Sequence, residues 1–460
     1  EIYTLSLHDA LPIYELTIRL HACLTCSNCE TLQLARSVWM REAVMAAFDE
    51  AILEENRRRI IRYFESGARE LQGPGTLGTE VEHFVIADNG RPVTYESEDG
   101  LIGIRDVLEH IARFYPEHTR NEQGDLLGLG GPEGTVTLEP AAQIEVSVAP
   151  HVAVADVMAG YRLFRERVDP YLAKHGARLL SVGYHPTRRA RELALIPKSR
   201  YDFMDRYFTH IGLHGERMMR ASASTQVSVD FSSERDAVRK LRVASALAPV
   251  LTAIADNTRV FEAEANHVPL ARLRLWRDVD NARCGTIPSV FSDGFGFGDY
   301  ADWLLGTPPI FVMRPPARGT SPSCVREAFD LPSSLMYADA PMDTQDIEHL
   351  VSMFWPDARL KRFVEIRPAD ALPEQGVAGY TALIKGLFYF EPSLRAVEDA
   401  LGVEGGSWRL RAADVEKAIA SVNRRGFGGV LYGLSLSEWE DLLFSQARQA
   451  LDGNEGKPLD

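Results

Sequence analysis

Apolar residues recur at three- and four-residue spacing between charges from about Ala43 to Leu71, through Ala47, Phe48, Ile52, Ile60, Ile61 and Phe64. That spacing predicts an amphipathic helix. GPGT at 73–76 ends it, and GTEVEHFVIA at 78–87 reads as a strand. The same helical period predicts helices over 104–115, 154–175, 200–212 and 234–256. Alternating or short apolar runs predict strands in AAQIEVSVAP (141–150), LLSVGYHP (179–186), STQVSVDF (224–231) and KRFVEIRPAD (361–370). The stretch 257–345 is loop-rich, and the last 90 residues read as helices. Strands separated by helices, without the even spacing of a sandwich, predict an α+β fold. No repeat or linker divides the chain, so one domain is expected over 41–450, with 451–460 a frayed tail. Residues 1–40 open on EIYTLSLHDALPIY, which reads as adapter-derived text, and are expected to be a non-native or disordered extension.

Period two sets faces as well as elements. In GTEVEHFVIA it puts Glu80 and Glu82 on one side of the strand. In AAQIEVSVAP, Gln143 and Glu145 oppose Ile144, Val146 and Val148, and Glu139 lies just upstream. Val227 and Val229 oppose Gln226, Ser228 and Asp230, and Val364 and Ile366 oppose Glu365 and Arg367. A single strand of this kind is accounted for by a solvent-facing side. Four polar faces made mostly of acids and amides favour another reading, because clustered carboxylates repel unless a cation sits among them. Oxygen-only ligands suit Mg²⁺ or Mn²⁺, and Mg²⁺ commonly serves nucleotide phosphates. The expectation is a sheet forming one wall of a metal–nucleotide site.

Neighbouring features add less. His83 points away from the acids and is expected to be a packed core histidine. GLGGPEG (128–134) lacks the Gly-Lys-Ser/Thr ending of a P-loop and reads as a loop at a sheet end, a candidate phosphate lid. ARLRLWRDVDNARCG (271–285) concentrates arginines, which pair bidentately with carboxylate or phosphate.

Charge narrows the partners. The chain has 460 residues, a net charge of -15 and a pI near 5.4, which argues against nucleic acid. No apolar run reaches the roughly 18 residues of a membrane span, and no secretory signal is visible, so neither a membrane nor an exported protein is expected and the default compartment is the cytoplasm. Cys23, Cys26 and Cys29 form a C-x-x-C-x-x-C run with no fourth ligand at suitable spacing; Cys284 and Cys324 are too few for a disulfide framework.

GTEVEHF, LEPAAQIEVSVAP, RYDFMDRYF with HGERMM, ASASTQVSVDF, ARLRLWRDVDNARCG, RFVEIRPAD and GYTALIKGLFYFEPSL occur in that order. Together they resemble the plant-type glutamate–cysteine ligases over about residues 45–450. The resemblance implies a glutamine-synthetase-like catalytic domain, an antiparallel curved sheet forming a funnel with helices packed outside. It implies an ATP-dependent ligase that joins the γ-carboxylate of glutamate to the amine of cysteine through a γ-glutamyl phosphate, the first step of glutathione-type thiol synthesis. ATP with Mg²⁺ or Mn²⁺ would be the cofactors, and the protein a monomer or homodimer. Carried over, Glu80, Glu82, Glu139, Glu145, Gln226 and Glu365 match metal positions, and Gln226 and Arg367 nucleotide contacts. Arg272, Arg283 and Gln143 match substrate-binding positions, and Arg367 and Arg283 catalytic ones. Two departures touch the substrate side: Ala141-Ala142 stands where the family often has Gly-Gly, and Leu270-Ala271-Arg272-Leu273-Arg274 replaces a Ser-Arg-Ser context. They leave open a related ligase with another amine acceptor, or a catalytically silent binding homologue.

Overall fold

The computed structural model describes residues 50–265, 268–313, 325–327 and 331–460. The extension at 1–40, the cysteine run within it and Cys324 lie outside the described residues.

The first helix, α1 (Glu50–Glu65), buries Ile60 and Phe64 at the spacing that predicts it. Strand β1 (Leu77–Ala87) follows directly after the Gly-Pro-Gly turn and is the centre of the molecule. Helix α2 (Ile104–Ile111) leads to a meander of β2 (Glu117–Arg120), β3 (Leu126–Gly131), β4 (Gly134–Leu138) and β5 (Ile144–His151). Then come α3 (Val154–Lys174), β6 (Ala177–Leu180), α4 (Ser199–Phe208), α5 (Gly215–Ala221), β7 (Thr225–Val229) and α6 (Glu234–Ile254). After the short α7 (Ala271–Trp276), the sheet is completed by β8 (Ala358–Leu360) and β9 (Val364–Ile366). Helices α8 (Glu374–Phe388) and α9 (Leu436–Ala450) pack on each other.

The sheet order is β8-β9-β7-β1-β5-β4-β3-β2, with β6 pairing the far end of β1, and every pairing is antiparallel. The α+β expectation and the antiparallel sheet with external helices are therefore observed, as an open sheet. Period two separates its faces. Thr79, Val81 and His83 of β1 turn to the helices: Thr79 meets Thr381 of α8 at 3.5 Å, and His83 bonds Tyr161 of α3 at 2.9 Å. His83 is fully buried, its second ring nitrogen lies 3.3 Å from the Ile144 carbonyl, and burial pushes its pKa down to about 3. It is the packed histidine the alternation predicts. Gly160 lets α3 approach closely, since a β-carbon there would stand 2.6 Å from Val148. The main hydrophobic core runs from Ile60 to Leu459, and a small second cluster holds Phe84, Ile86, Ala223 and Ala371.

Several expectations are corrected. Residues 128–131 are strand, because Leu127 and Leu129 are buried and only Pro132-Glu133 is left to turn, so no long glycine loop exists to act as a lid. Of 179–186 only Leu179 and Leu180 are strand, and 361–370 shrinks to Val364–Ile366. The helix predicted over 200–212 stops at Phe208, and a second helix, α5, follows it. The tail is not frayed: Leu459 is buried, and Glu455 accepts from Lys385 of α8 and from the Val154 amide at 3.2 Å.

Ala142, within the turn that carries Glu139 into β5, has φ +67°. The left-handed region costs an L-residue about 1–2 kcal/mol, which glycine avoids. The buried methyl is worth about 0.8 kcal/mol. Ala142→Gly is expected to raise stability by about 0.5–1 kcal/mol in urea unfolding; a loss of stability would show that the methyl outweighs the strain.

Candidate active site

The face of the sheet opposite α3 and α8 gathers the acids from distant segments. Register places Glu82 opposite Glu145 and Glu80 opposite Gln226, and Glu365 pairs with Ser228. Glu139 joins them from the β4–β5 turn, held by bonds between its amide and the Gln143 carbonyl (2.9 Å) and between its carbonyl and the Ala142 amide (3.1 Å).

Their electrostatics divide into two groups. Glu80, Glu139 and Glu145 are half-buried, Glu82 is buried, and all four have raised pKa values. Burial is the first cause for each. Glu365 adds to it for Glu80, and Glu82 lifts Glu139 to about 7. Glu80, Glu139 and Glu82 together drive Glu145 well above the carboxylate range. Glu82 is fixed by the Ser224 amide and hydroxyl, both at 2.8 Å, and by the Gln226 amide nitrogen at 3.2 Å; Glu145 accepts from Thr137 at 2.8 Å.

Glu365 behaves oppositely. It is fully buried, yet Arg359 at 2.7 Å, Lys361 at 2.8 Å and Arg367 at 2.9 Å surround it. Burial pushes its pKa up, but these three cations outweigh burial and hold it well below the usual range. Arg367 also donates to the Gln226 side-chain oxygen. Gln226 and Glu365 are thus engaged within the protein, and the expected ligand set contracts to Glu80, Glu82, Glu139 and Glu145. Among the described residues, no three His, Cys, Asp or Glu side chains converge as a metal cage.

The substrate-side expectations need more correction. Arg283 is buried, and its guanidinium is spent on Asp280 (2.5 Å), the Tyr207 hydroxyl (2.9 Å) and the carbonyls of Pro308 (2.7 Å) and Met353 (3.5 Å), between the rings of Tyr207 and Phe354. It ties α4 to the loops around it and has no fork left for a substrate carboxylate. Gln143 is likewise spent: its oxygen accepts from the Ala141 amide at 2.8 Å, and its nitrogen donates to backbone carbonyls, the nearest being Ser222 at 3.2 Å. Arg272 does reach the site, close enough to Glu82 and Arg367 for their charges to act on it. Cys284 is a buried free thiol whose pKa burial pushes up.

Sequence reasoning missed the cations. Arg359 and Lys361 flank Glu365, and Lys198 and Arg200 act on Glu139. Lys361 and Arg367 sit four before and two after Glu365, an even spacing, so alternation around Glu365 carried part of that signal. Nothing local marks Lys198, Arg200 or Ser224.

The two groups of acids predict opposite stability effects. Glu365→Gln removes a buried anion that compensates buried Arg359 and the partly buried Lys361 and Arg367, and should cost about 3–5 kcal/mol. Glu145→Gln relieves repulsion and should leave metal-free stability unchanged or higher. Urea unfolding of both variants checks this; equal losses would contradict the division.

The chain matches the model of the family described as "Glutamate-cysteine ligase family 2(GCS2)" over residues 76–421. Chloroplastic glutamate–cysteine ligase B of rice (Oryza sativa subsp. japonica) is 32% identical over 344 residues, 74% of this chain and 67% of the relative. The chloroplastic enzyme of Arabidopsis thaliana is 32% identical over 375 residues, 80% of this chain and 68% of the relative. A crystal structure of glutamate–cysteine ligase from Francisella tularensis in complex with AMP superposes with TM-score 0.47 at 11% identity, covering 84% of this chain and 81% of that one. The cytoplasmic expectation is corrected: it rested only on seeing no signal, and the curated relatives named here are plastid enzymes. With three quarters of its length matched by the model and curated relatives about one third identical, the chain belongs to glutamate–cysteine ligase family 2.

Proposed function

We infer that the protein is an ATP-dependent glutamate–cysteine ligase whose four half-compensated glutamates receive the metal-bound phosphates of ATP. One observation carries the site assignment: Glu80, Glu82, Glu139 and Glu145 lie together with pKa values raised by burial, reinforced at Glu80, Glu139 and Glu145 by repulsion from neighbouring acids. Such a set fits a divalent cation, because the cation supplies the charge these acids lack. That they do not close into a cage agrees with Mg²⁺, which keeps waters and takes its remaining ligands from substrate phosphates. Bound there, Mg²⁺ neutralises phosphate charge.

The chain's own residues do the positioning. A glutamate γ-carboxylate oxygen attacks the γ-phosphorus of ATP, the bond to the ADP oxygen breaks, and an acyl phosphate forms. The cysteine nitrogen then attacks the acyl carbon, the carbon–oxygen bond to phosphate breaks, and the nitrogen loses its proton. Arg367, clamped by Glu365 and Gln226, presents a fixed positive charge to the equatorial oxygens of the moving phosphoryl group. Arg359 and Lys361 keep Glu365 ionised, so that the clamp persists. Arg272 is the guanidinium available for a substrate carboxylate. No side chain has to act as a nucleophile.

Phosphate release with ATP, Mg²⁺, glutamate and cysteine tests the reaction. Release should require both amino acids; release with another amine alone would keep the chemistry and change the acceptor, and none at all would overturn the ligase reading. The metal assignment has a separate readout. A carboxyl whose folded pKa is raised binds more protons folded than unfolded, so metal-free stability should fall as pH rises from about 4.5 through about 7. Mg²⁺ should therefore raise the melting temperature more at pH 8 than at pH 5.5, and Glu145→Gln should shrink that gain; an unchanged melting temperature at both pH values would remove the metal from these residues.

A further inference from the structure

The acids of the site are pinned in two chemically different ways. Glu365 is held by Arg359, Lys361 and Arg367, so its charge is cancelled where it stands. Glu82 and Glu145 are held by neutral donors. The Ser224 hydroxyl reaches Glu82 Oε1 and the Ser224 amide reaches Oε2, both at 2.8 Å, and Gln226 Nε2 adds a bond to Oε1 at 3.2 Å. The Thr137 hydroxyl reaches Glu145 Oε1 at 2.8 Å. A hydroxyl or amide fixes the direction of a carboxylate and leaves its charge in place, whereas a guanidinium fixes it and neutralises it.

Both hydroxyls are placed by the sheet itself. Thr137 of β4 stands directly opposite Glu145 of β5, and Glu145 stands directly opposite Glu82 of β1. Ser224 lies one residue before β7, where its carbonyl accepts the Glu82 amide at 3.0 Å. The return bond from the Ser224 amide goes to the Glu82 carboxylate, where a regular ladder would use a backbone carbonyl. Ser224 is 2% exposed, and a backbone bridge to Asp370 holds it from the other side. Three donors fill three of the roughly four acceptor sites of the Glu82 carboxylate, and Thr137 engages one oxygen of Glu145. Each acid therefore keeps acceptor capacity on Oε2, and the two are direct cross-strand neighbours.

We propose that Ser224 and Thr137 are positioning residues that hold Glu82 and Glu145 as a pair of oriented, still charged carboxylates for the divalent cation. The proposal rests on the metal reading of the acid face. A glutamate side chain that is ordered only when an ion arrives gives up to about 2 kcal/mol of rotamer freedom at that moment. Hydroxyl donors impose the order beforehand, and, being neutral, they do so without spending the charge that attracts the ion. Thr135, two residues before Thr137 on the same strand face, is exposed and pairs with Ser147, so it supplies a matched control.

The probe is Mn²⁺, titrated against the full chain and followed by the electron paramagnetic resonance signal of the free ion. Thr137→Val and Ser224→Ala should each weaken Mn²⁺ binding about tenfold or more. Thr137→Ser, which keeps the hydroxyl, and the control Thr135→Val should stay within about twofold of the wild type. In phosphate release the same losses should appear as a higher Mg²⁺ requirement, with kcat at saturating Mg²⁺ largely kept. Wild-type Mn²⁺ affinity in Thr137→Val and Ser224→Ala, with Glu145→Gln weakened, would overturn the positioning role and leave the metal reading standing. Thr137→Ser as weak as Thr137→Val would also overturn it, by assigning the effect to packing. Mn²⁺ affinity untouched by Glu145→Gln would overturn the metal reading and this proposal together. Should Ser224→Ala fail to fold, the half-buried Thr137 series decides alone.

Discussion

Like-charge repulsion across an antiparallel register is the constraint on which the site depends. Backbone pairing holds Glu82 against Glu145 and brings Glu80 beside Gln226 whatever the cost in charge. A loop could relax such an arrangement; a central strand hydrogen-bonded on both sides cannot. The cost is carried by the helical side of the same sheet, where Val81, Ile144, Val146 and Val148 are buried against α3 and α8. Core packing therefore holds the unfavourable charge on the opposite face in place.

The protein compensates some of this charge and leaves the rest. Glu365 is matched three to one by Arg359, Lys361 and Arg367, and stays ionised. Its neighbours Glu82, two strands across, and Glu145, three strands across, have hydroxyl and amide donors but no ion pair among the described residues, and their pKa values rise. One side of the site is thus a rigid cationic clamp and the other an anionic receptor. Phosphoryl transfer needs the first as fixed positive charge where the phosphoryl oxygens carry negative charge.

Substrate recognition follows a different logic, in which sequence position misleads. Arg272 and Arg283 sit eleven residues apart in one arginine-rich stretch and look equivalent. Folding sends Arg283 inward to Asp280 and Tyr207, where it fixes loops, and leaves Arg272 with a free guanidinium nitrogen at the site. Gln143 shows the same effect. It has the parity of Glu145, but it precedes the first paired residue of β5, and its amide turns to cap backbone carbonyls.

The sequence by itself determined the α+β class, the long helices at 154–174 and 234–254, and the shared face of Glu80, Glu82 and Glu145, because period two and period 3.6 are local geometry. It also carried the family, through motifs kept in order. Tertiary structure alone decided which polar groups on those faces remain available. Whether Arg283 is spent and whether Asp370 keeps a free oxygen depend on partners far along the chain, such as Met353, 70 residues from Arg283, and Thr258, 112 residues from Asp370. Partner availability is a property of packing and has no period along the chain.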